Sequence, residues 1–227
     1  MDKFALIVAG GKGTRMNREI AKQYLLLDDK PIIMQTIHRF YEFDPQISII
    51  LVIPTGDFDL WKSLCSTHKF TIPHQLVGGG KSRFRSVQNG LGAISDQGIV
   101  AIHDGVRPLV DIVTIRNSFE MAALKGNAIS AVPLKDSIRS VNPFGSKSED
   151  RSRFRIIQTP QTFLIGQIKK AYDIEEKTEF TDDASVAEYA GFEINLIDGS
   201  NSNIKITTNE DLLLAEIILN EQKKTRK

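Results

Sequence analysis

The turn Ala9-Gly10-Gly11-Lys12-Gly13-Thr14-Arg15-Met16 directly follows an apolar run, Phe4–Val8. Glycines in such a turn let backbone N–H groups approach a phosphate without Cβ obstruction. A dinucleotide fingerprint, G-x-G-x-x-G, would need glycine where Met16 stands, so that reading fails at its third glycine. Two cations follow instead, Arg15 and Lys22. Bare amides with two fixed positive charges suit a triphosphate; the alternative is a tight turn with two surface cations. A second turn, Gly78-Gly79-Gly80-Lys81-Ser82, resembles the end of a P-loop, but Gln75 stands where that motif needs its first glycine. It reads as a strand-to-helix turn capped by Ser82 that could still touch a ligand.

Asp104 follows the apolar run Ile99–His103. Mg²⁺ is typically held by one or two carboxylates plus substrate phosphates, and Asp104 fits that role; the alternative is a turn-forming aspartate ahead of Gly105 and Pro108. Lys205 lies between Ile204 and Ile206, so strand alternation points it away from both apolar neighbours. His103 reads as a packed strand-end residue with no catalytic role. The sequence offers no evident nucleophile–base pair.

These residues need elements to hold them. Phe4–Val8, Ser48–Ile53, His74–Val77, Ile99–His103 and Ala128–Pro133 read as strands; Met34–Glu42, Phe58–His68, Ser82–Ala93 and Ile112–Lys125 read as helices between them. The alternation predicts an α/β, Rossmann-like fold, a mostly parallel sheet with helices on both faces. Ligands bind such sheets beyond the strands' carboxyl ends, where the loops after Val8, Val77, His103 and Pro133 lie. Residues 135–157 predict a projecting β-hairpin arm, with short strands Ser137–Val141 and Phe154–Ile157 around the polar turn Asn142–Asp150. The arm could exchange between subunits or cover a site. Beyond it come helices Ile165–Ile174 and Asp183–Ala190, strands Glu193–Ile197 and Asn203–Ile206, a helix Asn209–Leu219 and a polar, frayed tail.

The 227 residues suit one α/β domain, 1–227, with the arm at about 135–157. Lys and Arg number 29 against 28 Asp and Glu, which excludes a generally basic nucleic-acid coat and a polyanionic tail. The single cysteine, Cys65, excludes an intrachain disulfide and predicts a reducing, cytoplasmic compartment. No apolar run approaches the ~20 residues of a membrane span, and the opening residues predict a first strand, not an export signal.

Several segments, in order over about residues 4–217, resemble the 2-C-methyl-D-erythritol 4-phosphate cytidylyltransferase family. They are Ala9–Met16 with Lys22-Gln23-Tyr24, Gly79–Leu91 with Arg83 and Ser86, His103–Pro108, Val132–Arg139, Gln158–Gln161, Thr181–Ser185 and Asn203–Thr207. The resemblance implies CTP + 2-C-methyl-D-erythritol 4-phosphate → 4-diphosphocytidyl-2-C-methyl-D-erythritol + pyrophosphate, a step of non-mevalonate isoprenoid synthesis. It also implies Mg²⁺ and a homodimer with interlocking arms. Lys22 and Lys205 are then expected to flank the α-phosphate, and Arg15 to hold the β- and γ-phosphates with the amides of Gly10–Thr14, Gly11 and Gly13 included. Backbone groups of Ala9, Gly10 and Gly80, with the Ser86 hydroxyl, are the expected cytosine readers. Asp104 is expected to hold the metal. The resemblance also points to Arg107, Ser137, Arg151 and Thr181 for the acceptor, Arg151 across the dimer interface; Arg153 and Arg155 read as solvated.

Two departures stand out. Ala21 precedes Lys22 where the family usually has proline, which predicts a looser turn, and Lys81 replaces a frequent acidic residue. Ribitol-5-phosphate cytidylyltransferases share much of the set, so transfer to ribitol 5-phosphate or another polyol phosphate is the alternative. A catalytically silent nucleotide-binding protein is disfavoured, because the three expected cations and Asp104 are all present.

Overall fold

A computed structural model describes residues 1–10 and 21–225. The chain forms β1 (Lys3–Val8), a 3-10 turn (Lys22–Tyr24), the short strands β2 (Leu26–Leu27) and β3 (Lys30–Pro31), α1 (Ile32–Phe43) and β4 (Ser48–Ile53). A second 3-10 turn (Thr55–Asp57) leads into α2 (Phe58–Thr67), β5 (Gln75–Gly78), α3 (Arg83–Gly92), β6 (Ile99–Asp104), α4 (Ile112–Lys125) and β7 (Asn127–Pro133). Then come β8 (Ile138–Asn142), β9 (Gly145–Glu149), a 3-10 turn (Arg151–Arg153), β10 (Arg155–Leu164), α5 (Ile165–Tyr172), α6 (Asp183–Tyr189), β11 (Leu196–Asp198) and α7 (Asn209–Thr225).

Seven strands make one sheet in the order β11-β7-β10-β6-β1-β4-β5. All neighbours pair in parallel except β10, which runs antiparallel to both β6 and β7. Alternation along the strands divides the core. Ala5 and Ile7 of β1 with Ile49, Leu51 and Ile53 of β4 pack against α1, α2 and α4 through Ile37, Phe40, Trp61 and Phe119. Leu6, Val8, Ile50 and Val52 face the other way, onto Phe84 and Val87 of α3 and Ile165 and Ile168 of α5. Central strands covered on both faces are apolar at nearly every position, which is why they read clearly in the sequence.

The arm differs from expectation. β8 pairs with β9 across the tight turn at Pro143-Phe144, where Asn142 Oδ1 accepts the Phe144 N–H at 2.8 Å. Of the second expected arm strand, Phe154–Ile157, residues 155–157 instead begin β10 and join β7 in the main sheet. Nearly every side chain of β8 and β9 is exposed, so no apolar alternation marks β9. The stretch Asn203–Ile206 forms no strand; Asn203 and Ile204 make local turn bonds, and the Ile206 N–H donates to the Val106 carbonyl at 2.9 Å. The expected frayed tail continues α7 to Thr225, its last turn carrying Lys223 and Lys224, which suit a helix carboxyl end.

Candidate active site

The loops after β1, β4, β5 and β6 enclose a cavity of about 690 Å³ at the carboxyl edge of the sheet. Ala9 and Gly10, Lys22, Gly80, Ser86, Asp104 and Lys205 all line it. Lys22, Lys81, Arg83 and Lys205 oppose a single carboxylate, Asp104, so the lining favours an anion. Gly11, Gly13 and Arg15 lie outside the described residues.

Local chemistry shapes this wall. The Gly80 N–H donates to Ser86 Oγ at 3.0 Å, and Ser86 Oγ donates to the Ser82 carbonyl at 2.8 Å. Two of the expected cytosine readers therefore bind each other and fix the glycine turn on α3. A Cβ on Gly80 would lie 2.3 Å from Arg85 Cβ, so the turn cannot close over any larger residue without moving. Lys22 rides on its 3-10 turn, anchored where the buried Tyr24 hydroxyl donates to Asp57 at 3.0 Å. Burial and the adjacent Asp57 carboxylate both raise the Tyr24 pKa, keeping the hydroxyl a donor. Ala21 has φ −60° and ψ 139°, the backbone a proline would impose, so its substitution leaves the turn's geometry in place.

Asp104, at the end of β6, gathers three cations. Lys205 Nζ lies 3.0 Å and Arg107 Nε 3.3 Å from its Oδ2; Arg83 Nε lies 3.6 Å from Oδ1, beyond hydrogen-bond length. Burial alone would push this carboxyl up, but Arg83, Lys205 and Arg107 outweigh it and hold it well below the usual carboxylate range. Arg107 is turned by a second bond, to the Asn203 carbonyl at 2.8 Å.

Behind Asp104, His103 is fully buried and sits edge-on to Phe40. Its Nε2 is 3.1 Å from the Arg107 carbonyl, which can only accept, so Nε2 carries the proton. Nδ1 then accepts from the Thr159 hydroxyl at 3.1 Å, and Thr159 Oγ1 in turn accepts the Asp104 N–H at 3.1 Å. Burial pushes the His103 pKa down to about 4. This is the packed, neutral histidine anticipated from its place on the strand.

A second cavity, of about 280 Å³, shares Arg83, Asp104 and Lys205 with the first and adds Arg107, Thr159, Gln161, Thr181 and Asp182. Arg107 and Thr181, expected to bind the acceptor, are thus brought to Asp104. Ser137 and Arg151 are not: both are exposed at the base of the arm, outside both cavities, and Arg151 donates to the Lys135 carbonyl. From sequence Arg83 and Thr159 stand out only as members of their motifs. For Arg83 a signal existed, since a cation in a helix's first turn opposes the helix dipole and calls for a carboxylate partner. No three His, Cys, Asp or Glu side chains converge among the described residues. A divalent ion here would take one carboxylate and draw its other ligands from substrate and water; Asp104, whose Oδ1 takes no hydrogen bond from the described residues, suits that mode.

Comparison with known proteins agrees with this geometry. The family model for 2-C-methyl-D-erythritol 4-phosphate cytidylyltransferase matches residues 4–221. The enzyme of that name from Phocaeicola vulgatus is 42% identical over 219 residues, covering 96% of this chain and 100% of the relative. Its counterpart from Porphyromonas gingivalis is 44% identical over 219 residues, covering 96% and 97%. The crystal structure of 4-diphosphocytidyl-2C-methyl-D-erythritol synthase from Anaerococcus prevotii superposes with a TM-score of 0.82 at 28% identity, covering 96% of each chain. With the sequence and the fold both matched over nearly their full length, the chain belongs to the 2-C-methyl-D-erythritol 4-phosphate cytidylyltransferase family.

Proposed function

We infer that the two cavities are the two substrate sites of cytidylyl transfer, the larger for CTP and the smaller for 2-C-methyl-D-erythritol 4-phosphate. The reaction is CTP + 2-C-methyl-D-erythritol 4-phosphate → 4-diphosphocytidyl-2-C-methyl-D-erythritol + pyrophosphate. An acceptor phosphate oxygen attacks the α-phosphorus of CTP, a new P–O bond forms, and the bond to the β-phosphate oxygen breaks. The single observation that carries the assignment is that both cavities open onto the same three residues, Arg83, Asp104 and Lys205. A phosphate in each cavity would meet there.

A phosphate monoester is already an anion near neutral pH, so no general base is needed. The demand is for fixed positive charge where negative charge builds. Lys22 and Lys205 meet it at the α-phosphate, and Arg15 at the departing pyrophosphate. Arg107 and Thr181 orient the acceptor. Asp104 would hold Mg²⁺, which when bound neutralises triphosphate charge.

A homodimer is supported by the arm. Val141 is 79% and Phe144 99% exposed, and Ile156 is half exposed at the arm's base, apolar surface that a second copy would cover. Arm exchange would carry Ser137 and Arg151 to the other subunit's acceptor. The lone thiol, Cys65, supports a cytoplasmic setting, and no helix among the described residues is long and apolar enough to cross a membrane.

The test is pyrophosphate release with CTP, UTP and ATP crossed against methylerythritol phosphate and ribitol 5-phosphate. Turnover is expected with CTP and methylerythritol phosphate. Turnover with ribitol 5-phosphate alone would overturn the acceptor, and equal turnover with UTP would overturn the base assignment.

A further inference from the structure

Among the described residues Arg83 is the one guanidinium that lines both cavities, and its orientation is set from behind. Its Nη1 and Nη2 donate to the two carboxylate oxygens of Asp183 at 2.8 and 2.7 Å, a bidentate fork, leaving the Nε edge turned toward Asp104. Asp183 is fully buried and is the first residue of α6. The two residues before it, Thr181 and Asp182, line the smaller cavity. The same carboxylate accepts the Tyr172 hydroxyl at 2.6 Å. Burial and the Asp183 charge hold that hydroxyl well above its ordinary pKa, so it stays a donor. The Tyr172 ring stacks on Phe84, the neighbour of Arg83, at 4.6 Å between centroids. Neither Asp183 nor Tyr172 lines either cavity.

We propose that Asp183 and Tyr172 are positioning residues for the acceptor. They clamp Arg83 and join the acceptor wall, at the start of α6, to Asp104. The larger cavity keeps Lys22, Lys81, Lys205 and the glycine turns when Arg83 is disturbed. Among this chain's described residues the smaller has only Arg83, Arg107 and Lys205 as cations, and its Thr181–Asp182 wall adjoins Asp183. Loosening the clamp therefore weighs on the acceptor, not on CTP. The inference rests on assigning the smaller cavity to the acceptor, and wild-type turnover with the two acceptors tests that assignment by itself.

The experiment is steady-state kinetics of Tyr172→Phe, Asp183→Asn and Arg83→Lys, with each substrate varied in turn and thermal midpoints measured alongside. Tyr172→Phe keeps the stacked ring and removes one hydrogen bond. Its kcat/KM for methylerythritol phosphate should fall roughly 3- to 10-fold, with KM for CTP changed by less than about twofold. Asp183→Asn removes the charge-assisted fork and should cost roughly 10- to 100-fold in the same parameter. Arg83→Lys keeps the charge but not the fork and should fail to restore wild-type acceptor kinetics. Folded variants whose acceptor kinetics stay at wild-type values, or whose KM for CTP rises in step with that for the acceptor, would overturn the proposal. If Asp183→Asn does not fold, Tyr172→Phe decides, because a residue serving stability alone would lower the midpoint and leave the substrate split unchanged.

Discussion

Thr159→Val isolates the hydrogen-bond relay behind Asp104. Thr159 Oγ1 both accepts the Asp104 N–H and donates to His103 Nδ1, each at 3.1 Å, in a region where Thr159 and His103 are buried. Valine has nearly the same shape, so packing is retained while two buried polar groups lose their partner. An unsatisfied buried group costs about 1–3 kcal/mol, so the pair should cost about 2–6 kcal/mol. Thr159→Ser keeps the hydroxyl and loses one methyl, about 1 kcal/mol. Urea unfolding of the three proteins measures the difference directly. It should place the valine variant well below the serine variant, still folded within an ordinary stability of about 5–15 kcal/mol. The valine variant should also lose turnover, since the backbone that carries Asp104 is no longer pinned. A valine variant within about 1 kcal/mol of the serine variant would refute the reasoning, because desolvation would then have been relieved by other groups.

Other outcomes follow from the same geometry. Ala21→Pro should raise stability by about 0.4–1 kcal/mol, because φ −60° at Ala21 already suits proline and the unfolded chain loses freedom; a lower unfolding midpoint would contradict this. Lys205→Met should cut kcat by roughly 10²–10³ with little change in melting, since Asp104 keeps Arg107 and Arg83; turnover within about tenfold of wild type would remove Lys205 from the transfer step. His103 is depressed from an ordinary 6.5 to about 4 by burial, so the unfolded chain takes up this proton first as pH falls. Its contribution is fully present above about pH 6.5 and is lost on descent toward pH 4, about 3 kcal/mol in all. Unfolding free energies measured between pH 7.5 and 4 should show a shallower slope in His103→Gln than in wild type.

The parallel strands and their helices were legible because burial on both faces leaves an apolar record at nearly every position. β10 was not. Its centre reads Gln158-Thr159-Pro160-Gln161-Thr162, a polar run broken by proline, yet all five are buried. Each polar side chain there is satisfied by residues far away in sequence: Gln158 by the Ser200 carbonyl, Thr159 by His103, Gln161 by Asp182 and the Ala184 N–H, Thr162 by Ser118. Such partners exist only after folding, so local pattern makes the segment resemble a loop. The same limit applies to the site. Lys22, Lys205, Asp104 and the glycine turns stand out by type and position. Arg83 matters because Asp183, a hundred residues on, turns it toward Asp104.

That arrangement explains how a site can hold several cations before any phosphate arrives. Like charges gathered at one spot repel, and a protein that kept them apart until binding would have to reorganise during the reaction, when reorganisation is most costly. Here two carboxylates do the gathering. Asp183 consumes the fork of Arg83, while Asp104 meets its Nε edge together with Lys205 and Arg107. The carboxylates lie behind and between the cations, so positive charge still exceeds negative along the cavity wall. A phosphate entering the cavity would then find cations already placed, with Lys205 the most exposed of the three around Asp104.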